Sequence, residues 1–396
     1  MQPTQRLSFR EFGISEKVSA LFASFFNLCS TAPMTLLTFV FLALGLVLLV
    51  FGAELLVKGA SKLAATFGVS PLIIGLTVVA FGTSAPELAV SLSASLGGEA
   101  DIALGNVVGS NICNVLLILG VSSLIAPLTV AQQLVRLDVP IMIGVSFLLL
   151  LFGLDGQIGR SDGVIMFLGG LAYTAFLLYQ SRQEKDQDIH GEYAKFGARS
   201  LSLTDTATNA GLFLLGAVML VTGSQMLVNS AVEIARFFGA SPLIVGLTII
   251  ALGTSLPELA TSVMASIRGE RDIAVGNVIG SNIFNILVVL GLTSAVSQTG
   301  VGVTDSARAF DIPVMVAVAV MCLPIFFTDN EVSRREGILL LGYYILYIGY
   351  LVANATNPNA VWVGWIGPVI IPLTLLMMGL LGWRTWSAMK QRSLKS

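Results

Sequence analysis

The chain has 396 residues, 55% of them hydrophobic and 11% charged, with a mean hydropathy of +0.87. Soluble domains carry about 25% charged residues, so the composition excludes a soluble globular protein and indicates an all-α polytopic membrane protein. A formal net charge of -2 argues against nucleic acid as a partner, and the three scattered cysteines, Cys29, Cys113 and Cys322, suggest no disulfide framework.

Residues 1–33 form an N-terminal extension. Arg6, Arg10 and Lys17 precede an apolar run, Val18–Leu28, that is shorter than the roughly 20 residues a spanning helix needs. An interfacial amphipathic helix is expected there. Eleven spanning helices are predicted, near 34–57, 70–97, 102–125, 134–153, 161–180, 208–231, 241–267, 273–296, 310–328, 336–353 and 360–384. The second and third return as the seventh and eighth. Ser70–Leu96 and Ser241–Ile267 match at 18 of 27 positions, and Asp101–Gly120 and Asp272–Gly291 at 14 of 20, both at an offset of 171 residues. The later helices echo one another too. Asp138-Val139-Pro140 returns as Asp311-Ile312-Pro313, and Asp162-Gly163 as Glu336-Gly337. Residues 34–180 and 208–353 are therefore two five-helix repeats, joined by a polar linker, 181–207, that holds the one histidine, His190. Residues 354–396 add an extra C-terminal helix and a basic tail.

An odd number of helices per repeat makes the second repeat enter the membrane from the opposite side, the inverted plan of secondary transporters. Basic residues set the orientation. With the start of the first helix outside, fifteen basic residues fall inside, among them Lys58, Lys62, Arg136, Arg268, Arg271, Arg334, Arg335 and those of the linker and tail. The outer loops hold three, Arg160, Arg236 and Arg308, and the extension adds its own three. Trp362 and Trp365, with Trp383 and Trp386, mark the two interfacial belts of the last helix.

Each duplicated block carries one glutamate, Glu87 or Glu258, in an apolar stretch. A carboxylate at the bilayer centre costs roughly 2.5–3.5 kcal/mol on insertion scales. The chain bears that cost twice, at equivalent positions, which points to a cation site between the repeats. The glutamates end the runs Gly82-Thr83-Ser84-Ala85-Pro86-Glu87 and Gly253-Thr254-Ser255-Leu256-Pro257-Glu258. Proline has no N–H, so the carbonyl of Gly82 or Gly253 loses its helical partner and the helix breaks. Freed backbone oxygens then lie beside hydroxyls and a carboxylate, the all-oxygen surroundings that hard cations such as Ca2+ and Na+ require. The second blocks place Ser110 with Asn114, and Ser281 with Asn285, at i and i+4 on one helix face. Gly105, Gly109, Gly276 and Gly280 allow close helix approach. Packing roles are expected for Ser91, Ser93, Ser95, Ser262, Ser266 and Cys113.

The paired GTS-x-PE and GN-x-x-GSN-x-x-N blocks resemble the alpha-repeats of the cation/calcium exchanger superfamily, specifically prokaryotic sodium/calcium exchangers, over about residues 34–353. The resemblance implies a ten-helix exchanger core and a multi-pass protein of the prokaryotic cell membrane. It implies that Glu87 and Glu258 bind Ca2+ and contribute to Na+ sites, with carbonyls of Thr83 and Thr254 in the Ca2+ shell. Ser84, Ser255, Ser110 and Ser281, with the carbonyls of Ala80 and Ala251, would serve Na+. Asn114 and Asn285 would complete the centre. Many family members have Asp at one of those two positions; here both are Asn, so K+ dependence is not expected.

Ca2+ and Na+ are thus the expected substrates of an antiporter, with no cofactor and the lipid bilayer as surroundings. Two carboxylates are balanced by one Ca2+, two Na+ or two protons, so Ca2+/H+ antiport remains open. A cation channel fits the repeats less well, because channels assemble symmetric filter rings. An enzyme is not expected. Ser84 and Ser255 lack a neighbouring histidine to act as base.

Overall fold

The structure, a computed structural model, describes residues 36–96, 101–184, 203–238, 249, 251–327 and 330–356. The N-terminal extension, Cys29, most of the linker with His190, and the eleventh predicted helix with its tryptophans lie outside the described residues. The helices run in chain order as α1 (Leu36–Phe67), α2 (Pro71–Thr83), α3 (Ala85–Leu96), α4 (Ile102–Ile125), α5 (Leu134–Phe152), α6 (Arg160–Glu184), α7 (Leu203–Phe237), α8 (Leu256–Arg268), α9 (Arg271–Val296), α10 (Ala307–Phe327) and α11 (Arg334–Thr356). Among the described residues eight of these are long and apolar enough to cross a membrane singly, and α2 with α3 qualifies as one span bent by 44°.

The core is built around α4 and α9, which are mostly buried, whereas α1, α6, α7 and α11 are under one-third buried. Their outer faces are apolar: Phe39, Leu44, Val47 and Phe51 on α1, and Leu214, Leu215 and Val218 on α7, are all exposed. So continuous an apolar surface suits hydrocarbon and not water. This is an integral, multi-pass membrane protein.

Glycines set how closely the outer helices meet. Gly45, Gly52 and Gly59 on α1 recur every seven residues, and they face Gly223, Gly216 and Asn209 of α7 in descending order. The two helices therefore cross antiparallel, and a seven-residue period keeps the seam in register. A Cβ added at Gly216 would stand 2.5 Å from the backbone nitrogen of Leu56. Two more glycine contacts join the halves: Gly163 of α6 against Gly291 and Ala295 of α9, and Gly337 of α11 against Gly120 of α4.

Four two-residue strands also pair across the halves. β1 (Leu128–Thr129) runs antiparallel to β4 (Glu331–Val332), and β2 (Gln157–Ile158) to β3 (Val301–Gly302). Side-chain contacts also join the ends of the bundle across the halves. Arg268 pairs with Glu54, and Ser61 donates to Glu270 at 2.9 Å, joining segments predicted inside. Arg160 donates to the Ser297 carbonyl at 2.5 Å and Arg308 to that of Leu154 at 3.2 Å, joining segments predicted outside.

Helix limits differ from the sequence reading. The first helix, predicted to end at 57, continues to Phe67, and on it Glu54 pairs with Arg268 and Ser61 donates to Glu270 at the end of α8. The fifth and sixth helices run on to Glu184 and begin at Leu203, which narrows the predicted linker. Widened π-type turns also occur at repeat-equivalent places, Asn114–Ile118 with Asn285–Leu290 and Leu134–Asp138 with Ala307–Asp311. The latter pair ends on the duplicated aspartates. Tyr173 donates to Asp138 at 2.9 Å, and Tyr347 to Asp311 at 3.2 Å. Asp162 and Glu336 accept the N–H of Gly159 and Ser333 at 2.9 and 2.7 Å, so this echo consists of two helix N-terminal caps.

Candidate cation-binding site

The GTS-x-PE runs break their helices as the prolines require. Ser84 and Ser255 leave helical geometry, with φ, ψ of -83°, 7° and -87°, 4°. The freed Gly253 carbonyl accepts from Ser224 of α7 at 2.6 Å. The equivalent residue of the first repeat is Ala53, which has no hydroxyl to give. Ser84 N–H still reaches the Ala80 carbonyl at 2.9 Å, whereas Ser255 N–H turns to Leu252 at 3.2 Å, past the Ala251 carbonyl. Ala80 is buried; the Ala251 side chain is outside the described residues.

Glu87 and Glu258 open α3 and α8 and are wholly buried. Each is contacted across the halves. Ser84 donates to Glu258 Oε1 at 2.9 Å. Ser255 and Ser110 each approach Glu87 Oε1 at 3.5 Å, and Ser255 meets Ser110 at 3.1 Å. Ser281 and Asn285 are buried on α9, as are Ser110 and Asn114 on α4. Asn285 N–H bonds back to the Ser281 carbonyl, so the predicted i, i+4 face exists there.

Five buried polar atoms in this region have no hydrogen-bond partner among the described residues: Glu87 Oε2, Glu258 Oε2, Asn114 Oδ1, Asn285 Oδ1 and the Ser281 hydroxyl. Buried polar atoms are almost always paired, because leaving one unmade costs about 1–3 kcal/mol. Two carboxylate and two amide oxygens, unpaired and related by the repeat, form a set of hard donors to which a cation could bind.

The threonines are held by residues that the sequence reading passed over. Thr83 donates to Asn277 Oδ1 at 3.1 Å and Thr254 to Asn106 Oδ1 at 3.2 Å, each from one half to the other. The Asn106 amide donates to Ser91 at 3.0 Å and to the Glu87 carbonyl at 3.2 Å. Asn277 does the same with Ser262 at 2.9 Å and the Glu258 carbonyl at 3.4 Å. Ser91 and Ser262, expected only to pack, are thus acceptors in this clamp. Ser95 and Ser266 are buried and Ser93 is exposed. The signal for the clamp was available, since both asparagines stand in the GN that opens each duplicated motif. Cys113 is buried as expected. Its counterpart Phe284 packs edge-on to Phe81, with ring centroids 5.4 Å apart.

Gly276 and Gly280 bring α9 against α2. A Cβ on either would stand 2.9 and 2.6 Å from the carbonyls of Leu72 and Leu76. The equivalent neighbours of Gly105 and Gly109, residues 243–247, lie outside the described residues.

Fold and site together define a multi-pass membrane protein with a buried, oxygen-rich centre at the meeting of two duplicated halves. The chain belongs to the sodium/calcium exchanger protein family, whose signature matches residues 37–181 and 208–353. It is similar to the inner membrane protein YrbG of Escherichia coli (strain K12), 38% identical over 345 residues, 85% of this chain and 99% of that protein. It is 34% identical over 348 residues to the sodium/calcium exchanger MaX1 of Methanosarcina acetivorans, covering 80% of this chain and 98% of that one. Among solved structures, the sodium-calcium exchanger NCX_Mj soaked with Na+ and Sr2+ superimposes with a TM-score of 0.69 at 30% identity, over 80% of this chain and 99% of that chain.

Proposed function

We propose that the chain is a secondary active antiporter that exchanges Ca2+ for Na+ by alternating access. It would work through a ten-helix core of two inverted five-helix repeats, followed by an eleventh helix. The observation that carries this reading is the set of four unpartnered oxygens on Glu87, Glu258, Asn114 and Asn285. Two carboxylates balance one Ca2+ or two Na+, and an empty centre of charge -2 resists crossing a low-dielectric barrier. Exchange is then obligatory on electrostatic grounds. In this reading Thr83, Thr254, Ser84, Ser255, Ser110, Ser281 and the carbonyls of Ala80 and Ala251 complete the Ca2+ and Na+ shells. The names of MaX1 and NCX_Mj, and the Na+ and Sr2+ in the latter's crystals, support the same pair of substrates.

Na+ is favoured over H+ as the counter-ion because protons need no coordination shell. The hydroxyls of Ser84, Ser110 and Ser255 that gather on the glutamates would be idle in a proton carrier. An imposed Na+ gradient is expected to drive Ca2+ uptake into proteoliposomes at constant pH, without K+. No third acidic, cysteine or histidine side chain joins the pair among the described residues. Ser84→Ala with Ser255→Ala should raise the Na+ concentration for half-maximal exchange roughly tenfold, about 1.4 kcal/mol, and change Ca2+ affinity less. Full Ca2+ flux driven by a pH gradient alone, in Na+-free buffer, would establish proton coupling instead.

The same reading sets the orientation, with the linker and the C-terminal tail in the cytoplasm of a prokaryotic cell. Single cysteines placed at Arg182 and Arg392 in a cysteine-free variant should resist an impermeant thiol reagent added outside and react once the membrane is opened. Labelling of both from outside reverses the topology.

A further inference from the structure

We propose that Asn111 and Asn282 are positioning residues that fix the polarity of the Asn114 and Asn285 amides, so that both present oxygen and not nitrogen to a cation. The inference rests on the exchange reading above. An asparagine amide has an acceptor end and a donor end of nearly equal size, and turning it over exchanges them. A carboxylate has no wrong end. At a centre with Asn at both positions, a turned amide would aim N–H groups at the cation, so something must choose the end.

A directional chain of hydrogen bonds makes that choice. A methionine thioether accepts but cannot donate. Asn282 Nδ2 lies 3.4 Å from Met142 Sδ, which turns Asn282 Oδ1 the other way, to accept from Asn114 Nδ2 at 3.0 Å. Asn111 repeats this. Its Nδ2 donates to the Asn282 carbonyl at 3.2 Å and faces Met315 Sδ at 3.7 Å, both acceptors only. Its Oδ1 then accepts from Asn285 Nδ2 at 3.1 Å. With their nitrogens engaged, Asn114 and Asn285 are left with Oδ1 unpartnered. Asn114 stands one turn from Ser110, whose hydroxyl approaches Glu87. All six side chains are at most 3% exposed. Each methionine belongs to the opposite half from the asparagine it orients, so each half sets the polarity of the other.

The test is equilibrium binding of radioactive Ca2+ to the purified full-length protein in detergent, as a double-mutant cycle. Asn282→Leu should weaken Ca2+ binding about tenfold in the native background. With Asn114→Asp already present, where either oxygen serves, the same change should cost less than about twofold. Met142→Leu conserves volume and should fold normally. It should weaken binding roughly threefold in the native background and leave binding by the Asn114→Asp protein unchanged. Equal losses in both backgrounds, for either substitution, overturn the polarity lock. Failure of the unmutated protein to bind Ca2+ would overturn the exchange reading instead.

Discussion

Glu87→Gln and Glu258→Gln are each expected to abolish Ca2+ transport while the protein still inserts and folds. Glutamine keeps the shape of glutamate and one acceptor, so the bond from Ser84 to Glu258, 2.9 Å in length, can survive the change. It loses a unit of charge and turns one of the unpartnered oxygens into a donor group. A centre of charge -1 holding Ca2+ carries one uncompensated positive charge, in a place where a charge costs roughly 2.5–3.5 kcal/mol. Since each 1.4 kcal/mol is tenfold, the flux should fall about a hundredfold or more. Radioactive Ca2+ uptake into Na+-loaded proteoliposomes measures it, with elution as a single symmetric peak in detergent as the folding control. Near-normal flux in either variant would remove that glutamate from the ion site.

Gly216→Ala is expected to be among the most damaging small substitutions in the scaffold. The added methyl would meet Leu56 N at 2.5 Å and the Gly52 carbonyl at 2.7 Å. Both are backbone atoms, so no side chain can turn away and α1 and α7 must separate along the whole seam. Overpacking typically costs about 1–3 kcal/mol and sometimes more, a large share of the roughly 5–15 kcal/mol that holds a domain together. A clear fall in Tm should appear in detergent. Gly349→Ala on α11 is the control, because nothing lies within 4 Å of its added Cβ. Helix propensity favours alanine over glycine by about 1 kcal/mol, so that variant should be unchanged or more stable. Equal Tm values for the two variants would show that the seam does not depend on close backbone contact.

Much of the centre was legible in the sequence because duplication and chemistry coincide there. Glu87 and Glu258 stood out as carboxylates in apolar runs, and Pro86 and Pro257 announced the breaks that bring Ser84 and Ser255 out of the helix. The partners across the halves were not legible. Nothing local ties Asn277 to Thr83, or Ser224 to the Gly253 carbonyl; those contacts arise from how the helices cross. Widened turns such as Asn114–Ile118 have no mark in composition, since they differ from their neighbours only in which carbonyl each N–H selects. The overrun of the first helix to Phe67 escaped a hydropathy reading because Lys58 and Lys62 signal the membrane surface but do not end a helix.

The strands that pair across the halves bear on how the protein is made. Leu128–Thr129 and Gln157–Ile158 are synthesised long before their partners, Glu331–Val332 and Val301–Gly302. During that interval the first five helices can insert, but their strand edges are open and the close glycine faces of Gly52, Gly120 and Gly163 have nothing to meet. Glu87 likewise waits for Ser255. In the nascent first half these contacts are therefore unmade until the second half has been translated.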